Sequence, residues 1–262
     1  MHPVLIALGP LRLSTYGVFV ALGYLAAILW LKAQLPRTPW MDEDGFWTMV
    51  YALFAGAVLG GKALYLLVSP PSWPSSVLGF LDELRYGFVF YGGAAGALAA
   101  GWWVSRRLAI PYLSTADYFG VAAPLGHAIG RLGCLGAGCC YGRPAAVSWA
   151  VTVGPSPWCA TPPALWGVPL HPTQLYEAGA NLLIACLARF WLLPRAQRGR
   201  LVPGTVFLSY AALYAAARFA IEFYRGDDRG GTLAALSVSQ WIALLSGAAA
   251  LALMVRRGVR AA

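Results

Sequence analysis

Arg131 and Arg218 stand at the ends of long apolar runs, where a guanidinium is costly unless it has a counter-ion or an anionic ligand. Arg131 opens a glycine-rich stretch over 130–143, GRLGCLGAGCCYGR, whose bare backbone can approach a ligand closely. Because a guanidinium pairs with a phosphate through two parallel hydrogen bonds, this stretch predicts a lipid-phosphate site. The alternative is an arginine that only caps helix carbonyls.

A second motif, RFAIEFYR, places Arg218, Glu222 and Arg225 at i, i+4 and i+7, on one helical face. Such a stripe can hold a phosphate while its carboxylate orients a guanidinium. Tyr214 precedes Arg218 by one turn on the same face. That argues against the alternative, a solvated ion-pair stripe that contributes little.

A third motif, HPTQLYE at 171–177, opens another apolar run. We expect Thr173 to cap a helix whose first turns carry Glu177. A carboxylate one turn inside a membrane needs a partner, and the two candidates are Arg131 and Arg218.

Two glycine pairs lie inside other apolar runs, as GGK at 60–62 and YGG at 91–93. Small residues allow helices to pack closely, which is one interpretation of both pairs. The other is that the bare backbone admits a substrate beside the Tyr91 hydroxyl, with Lys62 as a further cation for phosphate.

Four of the five cysteines, Cys134, Cys139, Cys140 and Cys159, fall on the predicted outer side of the membrane, where disulfides persist. We therefore expect a disulfide among them first, a catalytic thiolate second and a metal site third, since paired C-x-x-C spacing is lacking. Cys186 lies in the middle of an apolar run and is predicted to be inert packing. No cofactor or metal is expected.

The elements that must position these residues are membrane helices. A chain of 262 residues with 59% hydrophobic and 11% charged residues is neither an ordinary soluble enzyme nor a disordered segment. A spanning helix needs about 20 apolar residues, and no stretch alternates like the strands of a membrane barrel. We predict an all-α, polytopic helical bundle in the inner membrane, a single integral domain over 1–262. Its seven predicted spans are 14–31, 46–68, 88–105, 116–135, 174–193, 203–221 and 236–255.

Basic residues orient this predicted bundle, which explains the net charge of +9 without nucleic acid. The loops after the first, third, fifth and seventh spans are basic, so we predict the N-terminus outside and the C-terminus in the cytoplasm. The outer segment 136–172, rich in proline, glycine and tryptophan, is predicted to be a compact extracytoplasmic cap. Further basic residues fall on the outer side and favour an anionic lipid ligand; they are Lys62, Arg85, Arg131, Arg143, Arg218, Arg225 and Arg229.

These motifs, in this order and with Tyr16-Gly17 in the first span, resemble the bacterial prolipoprotein diacylglyceryl transferase family over nearly the whole chain. The resemblance implies a seven-span inner-membrane enzyme with its active site toward the periplasmic leaflet. Its reaction moves the diacylglyceryl group of phosphatidylglycerol to the thiol of a lipobox cysteine in a preprolipoprotein. Glycerol phosphate leaves and a thioether forms. The implied partners are membrane lipid and the preprolipoprotein signal peptide, and we expect a monomer.

The resemblance also assigns roles. It places Arg131 and Arg218 at the lipid phosphate, with Glu222 and Arg225 supporting Arg218. We add Tyr91 and Cys139 to the predicted catalytic set as residues of this chain's own motifs. The predicted substrate-binding residues, including Gly142 on the loop by which lipid or peptide enters, are Tyr16, Lys62, Gly92, Gly93, Gly142, Arg143, His171, Gln174, Glu177, Tyr214 and Arg225.

The chain departs from the family pattern G-R-x-G-N-F-x-N-G-E-x-x-G at polar positions. Cys134 and Ala137 replace the two asparagines, and Cys139 replaces the glutamate. Tyr91 stands where histidine is common, and Lys62 stands where arginine is usual. Two alternatives follow: a paralogue with another acceptor or with an intermediate linked to Cys139 or Cys140, and a non-enzymatic protein that binds or moves phospholipid. The lack of an inverted repeat disfavours transport.

Overall fold

The computed structural model describes residues 2–8, 11–68, 87–227 and 231–261. Two of the outer-side arginines singled out above, Arg85 and Arg229, lie outside the described residues.

Long helices occupy each of the seven predicted apolar runs. The fifth of these helices, α5, continues through a π turn at Ala188–Leu192 into a short helix, α6. The helices are α1 (Thr15–Lys32), α2 (Glu43–Val68), α3 (Phe90–Arg107), α4 (Tyr112–Ala137), α5 (Thr173–Leu187), α6 (Leu193–Gln197), α7 (Thr205–Glu222) and α8 (Val238–Ala261).

Four stretches among the described residues are long and apolar enough to cross a membrane: Thr15–Lys32, Glu43–Val68, Thr173–Gln197 and Val238–Gly258. The remaining long helices, α3, α4 and α7, are less apolar for two different reasons. α3 is rich in glycine and ends in Arg106 and Arg107, whereas α4 and α7 carry charged residues of the candidate site. A helix that turns such residues inward need not be apolar all round.

The fold divides into two compact units, one formed by Lys32–Thr115 and the other by the flanking parts of the chain, 1–31 and 116–262. In the Lys32–Thr115 unit, α2 and α3 pack backbone against backbone. A Cβ added at Gly60 would overlap the Gly92 carbonyl, and one at Gly56 would overlap the Gly96 carbonyl. The packing interpretation of these glycines is therefore sufficient to explain their backbone geometry.

The second unit contains the other helices, and glycine again allows close approach, with Gly23 of α1 against Gly126 of α4. The buried Asp117 carboxylate in α4 accepts hydrogen bonds from the backbone N–H groups of Gly204 and Val206, both at 2.8 Å. A carboxylate at this position satisfies the first N–H groups of α7 and complements its dipole.

Two small hairpins, absent from the all-helical prediction, also belong to this unit. They pair β1 (Val4–Leu8) with β2 (Leu11–Ser14), and β3 (Thr232–Leu233) with β4 (Leu236–Ser237). Between α4 and α5 the chain has little regular structure beyond one short turn of 3-10 helix at Pro163–Leu165 and isolated bridges around Leu170. This agrees with the irregular segment predicted over 136–172.

Candidate functional site

The beginning of α5 meets the ends of α4 and α7 at a group of buried charged residues. α4 carries His127 and Arg131 one turn apart, and α5 carries Glu177. The predicted cap by Thr173 is wrong. Thr173 is already the first residue of α5, and its hydroxyl donates instead to the Cys140 carbonyl at 2.7 Å. This hydrogen bond ties the start of α5 to the loop that follows α4.

The Glu177 carboxylate lies at the centre of this group, with 1% of its side chain exposed. Its Oε1 accepts hydrogen bonds from Arg131 Nη2 at 2.6 Å and from the Tyr214 hydroxyl at 2.9 Å. His127 Nε2 lies 3.5 Å from the same oxygen and accepts a hydrogen bond from Arg131 Nε at 3.2 Å. The expected partner of Glu177 is therefore Arg131 rather than Arg218.

The other carboxylate oxygen, Glu177 Oε2, is buried and accepts no hydrogen bond; Arg225 Nη1 lies 3.6 Å from it. Gln174 Oε1 is likewise buried without a hydrogen-bond donor, although the same side chain donates through Nε2 to the Cys139 carbonyl at 2.7 Å. A buried acceptor left unsatisfied costs about 1–3 kcal/mol. These two oxygens can accept hydrogen bonds from a bound molecule.

Arg218 and Glu222 form a buried pair on α7, with Nη1 and Oε2 2.5 Å apart and with 8% and 7% of the side chains exposed. Glu222 Oε1 also accepts a hydrogen bond from the Ser237 hydroxyl at 2.8 Å. The alternative of a solvated stripe is therefore wrong. Arg218 acts electrostatically on Glu177, so the two ion pairs belong to one charged cluster.

Arg225 falls just beyond the end of α7 rather than on its face, because the helix stops at Glu222. Its guanidinium makes two hydrogen bonds to the Asp227 carboxylate, both 2.9 Å, and lies 3.9 Å from Glu222 Oε2. Burial alone would lower the pKa of Arg225, but the Asp227 carboxylate raises it above its ordinary value. Arg225 is therefore a permanent buried cation.

Backbone hydrogen bonds hold Gly142 and Arg143 close to His171 and Tyr224. Gly142 donates its N–H to the His171 carbonyl at 3.1 Å, and a Cβ at this position would overlap that carbonyl. Arg143 N–H donates to the Tyr224 carbonyl at 2.9 Å, and the Arg143 guanidinium lies over the Tyr224 ring. The His171 ring contacts the Tyr176 hydroxyl at 3.0 Å. Gly142, Arg143 and His171 thus lie together beside the end of α7.

Tyr16 in α1 packs beside the glycine-rich motif, since a Cβ at Gly133 would contact the Tyr16 backbone. The remaining predicted site residues, Lys62, Tyr91, Gly92 and Gly93, belong to the Lys32–Thr115 unit. There Lys62 Nζ lies 5.9 Å from the centre of the Tyr65 ring, and the Tyr91 ring packs edge-on to Phe90. Their participation in the site stays a prediction.

All five cysteines lie among the described residues, and no two of them are joined, so the expected disulfide is not formed. Three sulfur atoms, those of Cys134, Cys139 and Cys140, nevertheless lie within 4.8 Å of one another; we call these residues the cysteine cluster. Cys186 is exposed on α5, so its predicted packing role is wrong.

The thiols of the cluster change one another's pKa. Hydrogen bonds with Cys134 and Cys139, reinforced by the nearby Arg131 and Arg225, lower the pKa of Cys140 even though burial opposes the shift. The hydrogen bonds with Cys134 and Cys140 raise the pKa of Cys139. Of these two thiols, Cys140 is the one whose thiolate its surroundings favour.

Sequence reasoning missed three polar residues that complete the charged cluster: His127, Asp227 and Ser237. His127 precedes Arg131 by four residues, and this helical spacing could have identified it. Asp227 follows Arg225 by two residues, and this short spacing could have identified it. Ser237 has no such signal, because it reaches Glu222 from a hairpin that the sequence pattern did not predict.

Together, the long apolar helices define the class of helical membrane proteins, and a buried cluster of arginines and carboxylates lies at the ends of these helices. A family model described as prolipoprotein diacylglyceryl transferase matches residues 3–256. The chain belongs to this family, which confirms the resemblance drawn from the motifs.

Curated relatives named phosphatidylglycerol–prolipoprotein diacylglyceryl transferase match most of the chain. The Clostridium tetani relative is 32% identical over 246 residues, covering 94% of this chain and 94% of its own. The Geobacter sulfurreducens relative is 32% identical over 230 residues, covering 87% and 84%. The Pseudoalteromonas atlantica relative is 31% identical over 231 residues, covering 87% and 77%.

Proposed function

We propose that this protein transfers the diacylglyceryl group of phosphatidylglycerol to the thiol of a lipobox cysteine in preprolipoproteins. The observation that carries the proposal is the buried charged cluster, in which Arg131, Arg218 and Arg225 surround Glu177 and Glu222. Guanidinium groups bind a phosphate through paired hydrogen bonds, and the charge of a phosphate monoanion would otherwise be costly to hold inside a membrane protein.

The reaction requires one bond to form and one to break. The acceptor sulfur, as a thiolate, attacks the glyceryl carbon that carries the phosphate oxygen. The carbon–oxygen bond breaks, and its electron pair leaves with the phosphate as glycerol phosphate while the thioether forms. Because charge grows on the departing phosphate, fixed guanidinium groups beside it lower the barrier. We assign this role to Arg131 and Arg218.

The other buried residues support that role. Glu177 and Tyr214 fix the position of Arg131, and Glu222 fixes Arg218. The unsatisfied oxygens of Glu177 and Gln174 suit the hydroxyl groups of a glycerol headgroup, because those groups are hydrogen-bond donors. Tyr16, Gly142, Arg143, His171 and Arg225 are proposed to line the path of lipid and peptide around this cluster.

We further propose seven spans with the N-terminus outside, a position in the bacterial inner membrane, and a site toward the periplasmic leaflet. The helices that lie over all seven predicted runs support this arrangement. The basic residues in the predicted cytoplasmic loops support the orientation. Basic residues at or beyond the predicted cytoplasmic ends of the spans illustrate the pattern; they are Arg106, Arg107, Arg195 and Arg200.

Replacing one phosphate-facing arginine tests the proposed role. Arg218→Ala is expected to lower the rate of transfer from phosphatidylglycerol to a lipobox peptide by about 100-fold, as expected for a lost oxyanion donor. Arg200→Ala, an exposed arginine in a predicted cytoplasmic loop, is the matched control and should retain the wild-type rate. Thermal unfolding of both purified variants is measured alongside. A loss of rate in Arg218→Ala no larger than its loss of folded protein would contradict the assignment.

A further inference from the structure

The three thiols of the cysteine cluster are placed as metal ligands are. Their sulfur atoms lie within 4.8 Å of one another, and sulfurs around one tetrahedral Zn²⁺ are about 3.8 Å apart at Zn–S bonds of about 2.3 Å. Small rotations of the cysteine side chains would bring the sulfur atoms to the spacing that a bound ion requires. The C-x₄-C-C spacing gave little indication of this, since it lacks the paired knuckles by which zinc sites are usually recognised.

The backbone holds these side chains in place. The chain leaves α4 through Gly138 and Cys140, both with left-handed backbone angles, φ +69° and φ +60°. A non-glycine residue rarely adopts this conformation, and Cys140 does so where it brings its sulfur back toward Cys134. Strained residues of this kind concentrate at functional sites.

Neighbouring residues brace the same loop. Cys139 N–H donates to the Cys134 carbonyl at 3.1 Å. The carbonyls of Cys139 and Cys140 accept the hydrogen bonds from Gln174 and Thr173 at the start of α5. The cysteine positions are therefore fixed from both sides, as a preorganised ligand set requires.

The surroundings suit thiolates. Arg131 Nη1 lies 3.9 Å from Cys134 Sγ. The Arg225 guanidinium attracts a thiolate at Cys140 electrostatically. Three thiolates with a divalent cation carry one net negative charge, and both guanidinium groups lie on the side of the cluster where that charge would be. The Gln174 oxygen, buried and without a donor, lies on the side chain that braces Cys139 and can accept a hydrogen bond from a group bound at the cluster.

We propose that Cys134, Cys139 and Cys140 form a binding site for a thiophilic divalent cation of the Zn²⁺ type. Among the described residues the group that could hold a metal ion consists of these three thiols. Zinc sites with three protein ligands leave the fourth position to water or substrate and are typical of catalytic rather than structural zinc.

The occupant of that fourth position follows from the chemistry and rests on the proposed function. An acceptor cysteine that binds the ion loses its thiol proton to solvent, because coordination deprotonates a thiol. The resulting thiolate is the nucleophile that the transfer needs, and it is delivered beside Arg131. The site would thus supply the thiolate in a chain whose motif has cysteine where the family pattern has glutamate.

Cobalt binding tests the site without any assay of transfer. The intact protein is purified in detergent under reducing conditions, stripped with a chelator and titrated with Co²⁺ alone. A single equivalent with sulfur-to-cobalt charge-transfer absorption, displaced by Zn²⁺, is expected. Cys134→Ser, Cys139→Ser and Cys140→Ser should each weaken binding by about tenfold or more. Cys159→Ser, beside the loop at Gly138, and Cys186→Ser should bind as the wild type does.

Absence of the charge-transfer band in the folded wild-type protein would overturn the metal site, as would equal binding by all five variants. A lipobox peptide added to the Co²⁺ protein should raise the charge-transfer absorption, and the same peptide with serine for cysteine should not. Equal spectra with the two peptides would overturn the role of the fourth position. Because neither readout depends on turnover, failure of the proposed transfer reaction would be seen separately.

Discussion

At the scale of single residues, Glu177 rather than an arginine is the centre of the site. Its carboxylate contacts side chains from two other helices and lies beside Arg225. Breaking a buried ion pair from one side leaves an uncompensated charge, which costs about 3–5 kcal/mol. Glu177 therefore holds Arg131 in place and also joins α5 to α4 and α7 through its hydrogen bonds.

This coupling predicts an order of stability losses. Glu177→Gln removes the negative charge but keeps the volume, so we expect a loss of about 3–5 kcal/mol in the free energy of unfolding. Tyr214→Phe removes one hydrogen bond to the same carboxylate and should cost about 1.5–3 kcal/mol. Denaturant unfolding of both variants in detergent provides the comparison. A smaller loss for Glu177→Gln than for Tyr214→Phe would show that the negative charge of Glu177 is not needed to balance the buried arginines.

The interactions of the candidate site were predictable where the evidence for them lies within a single helical segment. The apolar context alone showed that Glu177 needs a cation, and the spacing of Arg218 and Glu222 gave their ion pair. The choice of Arg131 over Arg218 depended on how α4 and α5 meet, which no spacing within one segment specifies. The cysteine cluster was missed as a ligand set for a similar reason: a left-handed residue at Cys140 brings its sulfur atoms together.

At the scale of elements, hydrophobic runs located every long helix to within a few residues. The exceptions are the ends: α2 begins at Glu43 and α8 continues to Ala261, beyond the apolar runs, because charged residues at an interface can continue a helix. The hairpins β1–β2 and β3–β4 were not predicted, since such short strands have too few residues to show alternation.

Helix packing in the Lys32–Thr115 unit makes a direct prediction at this scale. Gly92→Val would drive side-chain atoms into the Gly60 carbonyl and separate α2 from α3, so we expect a loss of about 1–3 kcal/mol or more in unfolding free energy. Gly179→Val, in α5 where a Cβ meets nothing within 4 Å, is the control. Thermal unfolding should separate the two clearly, and equal unfolding temperatures would contradict close backbone packing as the reason for the glycine.

At the scale of the whole molecule, composition predicted a membrane protein, and four sufficiently apolar helices together with the family assignment support it. Two of the three long helices that fall short, α4 and α7, carry buried charged residues of the candidate site. Buried charges thus lower the hydropathy of helices that contribute to the candidate site. Net charge alone could not separate basic residues that orient the chain from those that bind an anion.

The proposed orientation has its own test. Single cysteines placed at Arg200 and at Trp149, in a background without native cysteines, should differ in labelling of intact cells by a membrane-impermeant maleimide. Trp149 lies in the predicted outer cap and is exposed, so it should react; Arg200 should react only after the cells are opened. Labelling of the Arg200 position in intact cells would reverse the orientation.

The central claim is the transfer reaction itself. The purified protein is incubated with phosphatidylglycerol vesicles and a lipobox peptide, and both products are followed by mass spectrometry. We expect the peptide to gain the mass of one diacylglyceryl group on its cysteine, with an equal amount of glycerol phosphate released and no gain on the serine counterpart of the peptide. A folded protein that leaves the cysteine peptide unmodified and releases no glycerol phosphate would contradict the account.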